Sequence, residues 1–401
     1  MGAILGERRV IGRVLVLITL LLGGAMPAWS QDSAGGIAAG AFTIHPTIGL
    51  TYGHDDNVTL ANRPRVSSDF TILAPAIQLV ASGATSQFVL RYEFEKGEYK
   101  DSPIDDYTDH NFGFDLNLSP SVRNDFRFYG RYTKSHDRRG TALREGDIGL
   151  LEIEPDRWDE YGIGGTWRYG ALGAKGALEI EAGHRKRDYT NHHSVTQFLD
   201  YSTTHAAARF FYRVRPKTEL LAEARWEDID YVVSPYDAID TRFLVGVRWD
   251  ATARTSGRVL LGQQHRDFDD PGLQDYSGVS WEVGLTWTPR TYSIIDLSTI
   301  RHATETTGLA AYRVTQDTVL RWDHYWKPRF NTTVEYGFSD HELRPNVRDD
   351  DVYFWGVSAQ YAMRPWVRFG LGHRYIDRQS TDDEFNYDRN VTQFTVELTV
   401  P

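Results

Sequence analysis

Val279-Ser280-Trp281-Glu282-Val283-Gly284-Leu285-Thr286-Trp287 places an apolar side chain at every odd position and a small or polar one at every even position. Successive side chains of an extended strand point to opposite faces, so the stretch reads as a strand with one greasy and one wet face. The same beat runs through Phe112-Gly113-Phe114-Asp115-Leu116-Asn117-Leu118 and through Phe394-Thr395-Val396-Glu397-Leu398-Thr399-Val400. Eighteen such segments can be placed, near 42–54, 68–81, 86–99, 107–118, 125–135, 159–169, 176–184, 198–213, 218–231, 239–249, 257–268, 276–287, 291–303, 311–326, 330–339, 351–363, 366–375 and 389–400. They occupy almost the whole chain and leave little for a conventional core. The apolar faces are therefore expected to meet lipid.

The connections alternate in length. Short ones, such as Ser82-Gly83-Ala84-Thr85, Val214-Arg215-Pro216-Lys217, Thr288-Pro289-Arg290 and Lys327-Pro328-Arg329, separate longer ones at 55–67, 100–106, 136–158, 185–197, 340–350 and 376–388. Short periplasmic turns and long outer loops mark an outer-membrane barrel. A segment of about ten residues, tilted by about 40°, spans roughly 26 Å, close to the apolar band of such barrels. Trp167, Tyr169, Tyr212, Trp249, Trp287, Trp322, Trp326 and Tyr361 stand just before short turns, where an inner aromatic girdle belongs. Tyr52, Tyr99, Tyr132, Trp226, Tyr353 and Tyr375 are expected toward the outer interface. The fold class is all-β: a transmembrane antiparallel up-and-down β-barrel of 16–18 strands, most simply eighteen. A soluble sandwich, propeller or β-helix would instead need polar outward faces or a fixed repeat period. Pro46 and Pro75 fall inside the first two segments, where they cannot donate ladder bonds.

Residues 1–30 read as a cleavable signal peptide: a basic start with Arg8, Arg9 and Arg13, an apolar run from Val14 to Leu22, and Ala28-Trp29-Ser30 before the cut. Residues 31–41 are expected to be a short flexible periplasmic segment, and 42–401 the barrel. The net charge is −11, and loss of the leader's three arginines and Glu7 makes it two units more negative. That balance disfavours nucleic acid as a partner. With no cysteine, disulfides and thiolate chemistry are excluded. The expected surroundings are outer-membrane lipid and lipopolysaccharide, with the outer-membrane assembly machinery acting on the chain.

If apolar positions face lipid, their alternates face the lumen. Arg91, Glu93, Arg127, Arg131, Arg168, Arg209, Arg213, Arg225, Arg242, Arg248, Arg258, Glu282, Arg321, Glu335, Arg368 and Arg374 are the expected lining. A midplane arginine on the lipid side would cost about 2–4 kcal/mol. Arginine far outnumbers lysine, 37 to 7, and its planar fork binds carboxylates bidentately. Two readings are open: a lining that contacts an anionic or polar polymer, or inter-strand ion pairs that solvate a wide lumen. The loop at 136–158, the longest, is the candidate to fold inward.

Asp55-Asp56, Asp105-Asp106, Asp269-Asp270, Asp349-Asp350-Asp351 and Asp382-Asp383-Glu384 lack EF-hand spacing and read as solvated loops. His192-His193 has no further ligand at metal-site spacing. No catalytic motif is present, and neither a catalytic residue, a metal nor a cofactor is expected. His110, Ser135 and His136, near the outer rim, are the residues that a barrel-embedded lipid-modifying enzyme would use.

Tyr52-Gly53-His54-Asp55-Asp56-Asn57, Ser68-Asp69-Phe70 through Pro75-Ala76-Ile77-Gln78-Leu79, Tyr99 through Asp105-Asp106-Tyr107-Thr108-Asp109-His110, and Ser135-His136-Asp137-Arg138-Arg139-Gly140-Thr141 resemble motifs of the putative β-barrel porin 2 family. The resemblance is sharp over 42–141 and rests on strand spacing beyond. It implies an outer-membrane channel associated with exopolysaccharide or capsular polysaccharide export, working with periplasmic export components. A general diffusion porin for small polar solutes is the alternative. The motifs themselves suggest rim chemistry. Asp55, Asp56, Asn57, Asp105, Asp106 and Asp109 are of the type that cap turns through their own backbone, and the aspartates are expected to pair with Arg138 and Arg139 around the outer mouth.

Overall fold

The alternation at 279–287 is realised as ladder pairing along the whole chain. The computed structural model describes residues 36–400 apart from 152, 253, 307–309 and 346. Residues 1–30, read as a signal peptide, lie outside the described residues. A short β1 (Ile37–Ala39) turns back on β2 (Phe42–Asp55), within the stretch expected to be flexible. There follow β3 (Ser68–Ser82), β4 (Ser86–Tyr99), β5 (Tyr107–Ser121), β6 (Asn124–Asp137), β7 (Asp156–Tyr169), β8 (Gly176–Tyr189), β9 (Tyr201–Arg215), β10 (Thr218–Tyr231) and β11 (Ala238–Thr252). The circuit continues with β12 (Thr255–Phe268), β13 (Tyr276–Arg290), β14 (Ser293–Thr304), β15 (Tyr312–Lys327), β16 (Phe330–Arg344), β17 (Arg348–Arg364), β18 (Val367–Ser380) and β19 (Tyr387–Thr399). Each strand from β2 onward runs antiparallel to the next, and β19 returns to pair with β2 from Val391↔Asp55 to Thr399↔Thr47. The result is a closed eighteen-stranded barrel, and each of the eighteen alternating segments supplies one strand. Closure leaves no open edge, which is the condition for a sheet to cross hydrocarbon. No helix among the described residues is long and apolar enough to cross a membrane.

The two faces separate by register. Ile48, Leu50, Tyr92, Phe112, Ile163, Phe243, Val245, Leu261 and Leu371 lie on one face and are all exposed. Water would penalise so much bare apolar area by about 25 cal/mol per Å², whereas lipid does not. Trp167, Tyr169, Tyr212, Trp287, Trp322, Trp326 and Tyr361 are exposed beside the short turns, as an inner girdle requires. Tyr99 departs from the expected outer girdle. It is buried, packs at a tilt against Phe70, and its hydroxyl accepts from Arg138. Its odd position on β4 shares the face of Arg91 and Glu93, so it points inward.

Several strands run further than hydropathy indicates. The stretch 340–350, read as a loop, is mostly strand, and β16 and β17 are joined by 345–347 alone. Likewise β8 extends to Tyr189 and β18 to Ser380. Above the apolar band both faces are polar, so the beat fades while pairing persists. Arg344 binds Glu342 at 2.7 Å and Asp349 at 2.6 Å, stapling the projecting hairpin. The two prolines sit at gaps in the ladders. Pro46 lies beyond the end of the β19 pairing at Thr47, and at Pro75 the β3–β4 pairing lapses between Leu73↔Lys96 and Ala76↔Glu93 before resuming in the same register, as a residue without an N–H donor requires.

Gly246 and Gly262 mark a close approach of β11 and β12. A Cβ on Gly262 would stand 1.7 Å from the Phe243 carbonyl oxygen, and one on Gly246 1.8 Å from that of Val259. The tight contact carries Leu244 and Leu260 into a small dry cluster with Phe211 and Leu221. Gly262→Ala is expected to lower the unfolding midpoint in urea, by about 1–3 kcal/mol in stability, because backbone must yield. An unchanged midpoint would show that the strands can part freely there.

Candidate pore lining and inward loop

By register, all sixteen expected lining residues share the face opposite the lipid-exposed side chains. That this face is concave follows from reach: Arg225 on β10 meets Glu282 on β13 at 2.9 Å, three strands away. Glu282 also accepts from Arg242 and Arg258, each at 2.7 Å. One carboxylate thus gathers three guanidiniums from three successive strands. Arg209 reverses the pattern, donating to Glu179 at 3.0 Å, Glu181 at 2.6 Å and Glu223 at 2.7 Å. Glu219 accepts from Arg213 and Arg248, Glu335 from Arg321 and Arg374, and Asp115 from Arg127 and Arg131. Arg368 reaches Glu397 at 3.3 Å, Arg168 reaches Glu179 at 3.6 Å, and Arg91 reaches Glu93 at 3.7 Å. The wall is therefore a lattice of alternating charges rather than a ladder of free cations. Arg168 and Arg248 also stack on Phe211, each 4.8 Å from its centroid, covering the dry cluster.

The rim motif is assembled differently from the simple pairing expected. Arg139 and Asp105 do form a buried bidentate pair, with Nε–Oδ1 at 2.9 Å and Nη2–Oδ2 at 2.5 Å, and Ser102 completes it. Arg138 instead binds the Tyr99 hydroxyl. Asp55 takes Arg389 as its partner, Asp56 takes Asn390, Asp106 caps the Tyr99 amide, and Asp109 accepts from Ser135. Asn57 ties Ala61 to the Asp388 carbonyl. Most of these aspartates therefore close their own strand ends rather than meeting the arginine pair.

The connection 138–155 folds inward. Gly140 has φ +84, and a Cβ there would stand 1.9 Å from the Thr59 carbonyl oxygen, so two loops touch backbone to backbone. Arg144 then grips Asp156 through two 2.9 Å bonds. Glu145 extends to Arg348 on β17 at 2.5 Å and to Arg378 on β18 at 3.1 Å. Between β6 and β18 lie β5, β4, β3, β2 and β19, so this clasp spans the mouth. Asp350 braces both arginines, at 3.0 Å and 2.6 Å, and Arg348 stacks 3.8 Å from the Phe385 centroid. Burial acts to raise the Glu145 pKa, but Arg378 and Arg348 outweigh it and hold the carboxyl below its ordinary value.

Glu145, Arg348, Asp350, Arg378 and Arg389 are the residues that the sequence reading missed. Arg348 and Asp350 fell in a stretch read as loop. Continuing the two-residue beat backward from Phe354 through Val352 to Asp350 and Arg348 would have placed both on the inner wall.

The lowered Glu145 pKa fixes the sign of a pH effect. Docking stability from this group is complete above the ordinary carboxyl value, 4.5, and is lost as pH falls through the docked value below it. Channel conductance in planar bilayers is therefore expected to rise on acidification below that point, with a smaller step in Glu145→Gln.

The residues considered for an enzyme do not form a nucleophile–base pair. Ser135 Oγ donates to one oxygen of Asp109 at 2.7 Å, and His136 Nδ1 lies 3.0 Å from the other. His110 instead pairs with the Tyr92 hydroxyl, whose ring is on the lipid face. His192, set beside Asp156 at 2.7 Å, belongs to the same loop base.

A closed barrel with a lipid-exposed apolar belt, a charged interior and an inward loop defines an outer-membrane porin-like channel. Residues 32–400 match the family model described as putative beta-barrel porin 2, and the chain belongs to that family. No curated protein matches the sequence. Among solved structures, OccK2 (OpdF) of Pseudomonas aeruginosa aligns with a TM-score of 0.50 at 10% identity, covering 89% of this chain and 98% of that one. OpdL of the same organism aligns at 0.48 and 15% identity, covering 90% and 98%. The FrpB iron transporter of Neisseria meningitidis (F3-3 variant) aligns at 0.47 and 9% identity, covering 84% of this chain but only 62% of that one. Such low identities speak to fold alone.

Proposed function

We propose that the barrel passes polysaccharide outward by passive diffusion, with the 138–155 loop as the element that sets its aperture. The supporting observation is the Glu145 clasp to Arg348 and Arg378 on the far wall, joined to an interior of paired charges. A lattice in which each of the thirteen expected lining arginines already has a carboxylate offers a passing polar polymer weak, exchangeable hydrogen bonds rather than a trap. Polymer secretion is expected to fall in a strain lacking the gene and to return with the wild-type chain. It should return less well with Arg209→Glu, which sets four carboxylates together. Unchanged secretion in the deletion strain overturns the export reading. A permanently closed clasp would favour the second reading, diffusion of small polar solutes, and that reading predicts uptake of small sugars without any effect on secreted polymer.

A further inference from the structure

The short turns differ in charge from the connections at the opposite end taken together. They are 83–85, 122–123, 170–175, 216–217, 253–254, 291–292, 328–329 and 365–366. None contains Asp or Glu, while Arg123, Lys175, Lys217, Arg254 and Arg329 lie within them and Arg364 borders the last. All six cations are exposed. The opposite end carries Asp269-Asp270 and Asp382-Asp383-Glu384 in its connections. The barrel is thus basic at one mouth and acidic at the other.

Neighbouring hairpins in a tilted sheet place their turns roughly 10–13 Å apart. That spacing is close to the Debye length of about 8–10 Å in physiological salt, so the fields of adjacent turns merge. A merged ring attracts a partner with many regularly spaced negative charges far better than one with a single charge, because each contact releases counterions.

We infer that the turn ring recruits an acidic polysaccharide, a polymer of sugar acids, from the periplasmic side. The inference rests on the export reading and deepens it by naming the substrate class and the side of capture. The occupant is argued from the pairing of the two mouths. A ring that only held anionic lipid headgroups would account for the basic turns but not for the acidic far mouth. A polyanion is captured far more readily at the basic end than at the acidic end.

The test uses the full mature chain in planar bilayers of phosphatidylcholine. Asp383→Cys and an impermeant thiol reagent report orientation, since the chain has no cysteine of its own. Oligogalacturonate added at the turn side should produce blocking events about tenfold more often than from the loop side at 0.1 M salt, with the ratio falling toward unity at 1 M. Neutral dextran of equal length should show no such asymmetry. Replacing Lys217, Arg254 and Arg329 together with glutamate should abolish it. Fluorescent oligogalacturonate binding to detergent-solubilised barrel reads the ring without needing conduction, and should weaken about tenfold in that triple variant. Equal blocking from both sides, or unaltered binding in the triple variant, overturns the inference. A barrel that binds the oligomer through the ring yet conducts nothing would leave the ring intact and sink the export reading instead.

Discussion

Glu145→Ala is expected to raise single-channel conductance by weakening the hold of the inward loop on the far wall. Arg348 is nearly buried and Asp350 fully so, while the Glu145 side chain is about a quarter exposed, at 26%. Breaking a wholly buried ion pair costs about 3–5 kcal/mol. Two features reduce that figure here. Water reaches Glu145, and Asp350 still neutralises both arginines after Glu145 is gone. A loss of about 1–2 kcal/mol is the reasonable scale, which shifts the docked-to-open ratio by roughly tenfold. The loop remains tethered by Arg139–Asp105 and Arg144–Asp156, so the change should appear as longer and more frequent high-conductance states rather than a fixed wide pore. Charge reversal at both Arg348 and Arg378 should act in the same direction and more strongly, because it sets four carboxylates at one point. Identical conductance in all three proteins would mean that the loop does not limit the aperture.

The second large effect concerns the wall. Glu282→Ala should lower barrel stability by about 3–5 kcal/mol, read as the urea unfolding midpoint in micelles and as loss of the heat-modifiable compact band. The carboxylate is 8% exposed and is shared by Arg225, Arg242 and Arg258. Its removal takes the carboxylate from Arg258 and leaves Arg242 the Ser280 hydroxyl at 3.5 Å. Glu282→Gln keeps an acceptor but not the charge and should fall between. Combining Glu282→Ala with Arg242→Met and Arg258→Met removes both signs together. If the lattice is what matters, the triple variant should be more stable than the single one, a coupling that a double-mutant comparison measures directly. A single variant as stable as the wild type would show that the lumen solvates these arginines by itself.

The strand count, the lipid-facing register and the position of the inner girdle were legible in the sequence because each depends on a local period. A beat of two residues says which face a side chain takes whatever its neighbours are, and that is why residues as distant as Arg91 and Arg374 could be placed together on one face. Legibility fell wherever the beat lost its apolar half. The hairpin 340–350 projects into water, both its faces are polar, and its strands are maintained by Arg344 with Glu342 and Asp349. Tyr99 was placed outside because an aromatic near a strand end suggests an interface, yet its parity on β4 points it inward to Arg138.

What the sequence determined by itself is therefore the barrel and its faces. Pairing partners on the wall could not be read from it, since any inner arginine can reach carboxylates on either neighbour and, across the concave side, on strands two or three away. Only the closed tertiary structure decided that Glu282 collects three guanidiniums, that Asp55 meets Arg389 rather than Arg138, and that the longest loop turns inward. The last of these depends on curvature. Glu145 and Arg348 are 203 positions apart in the chain, and it is closure of the sheet into a ring that brings their two sides within reach of one another.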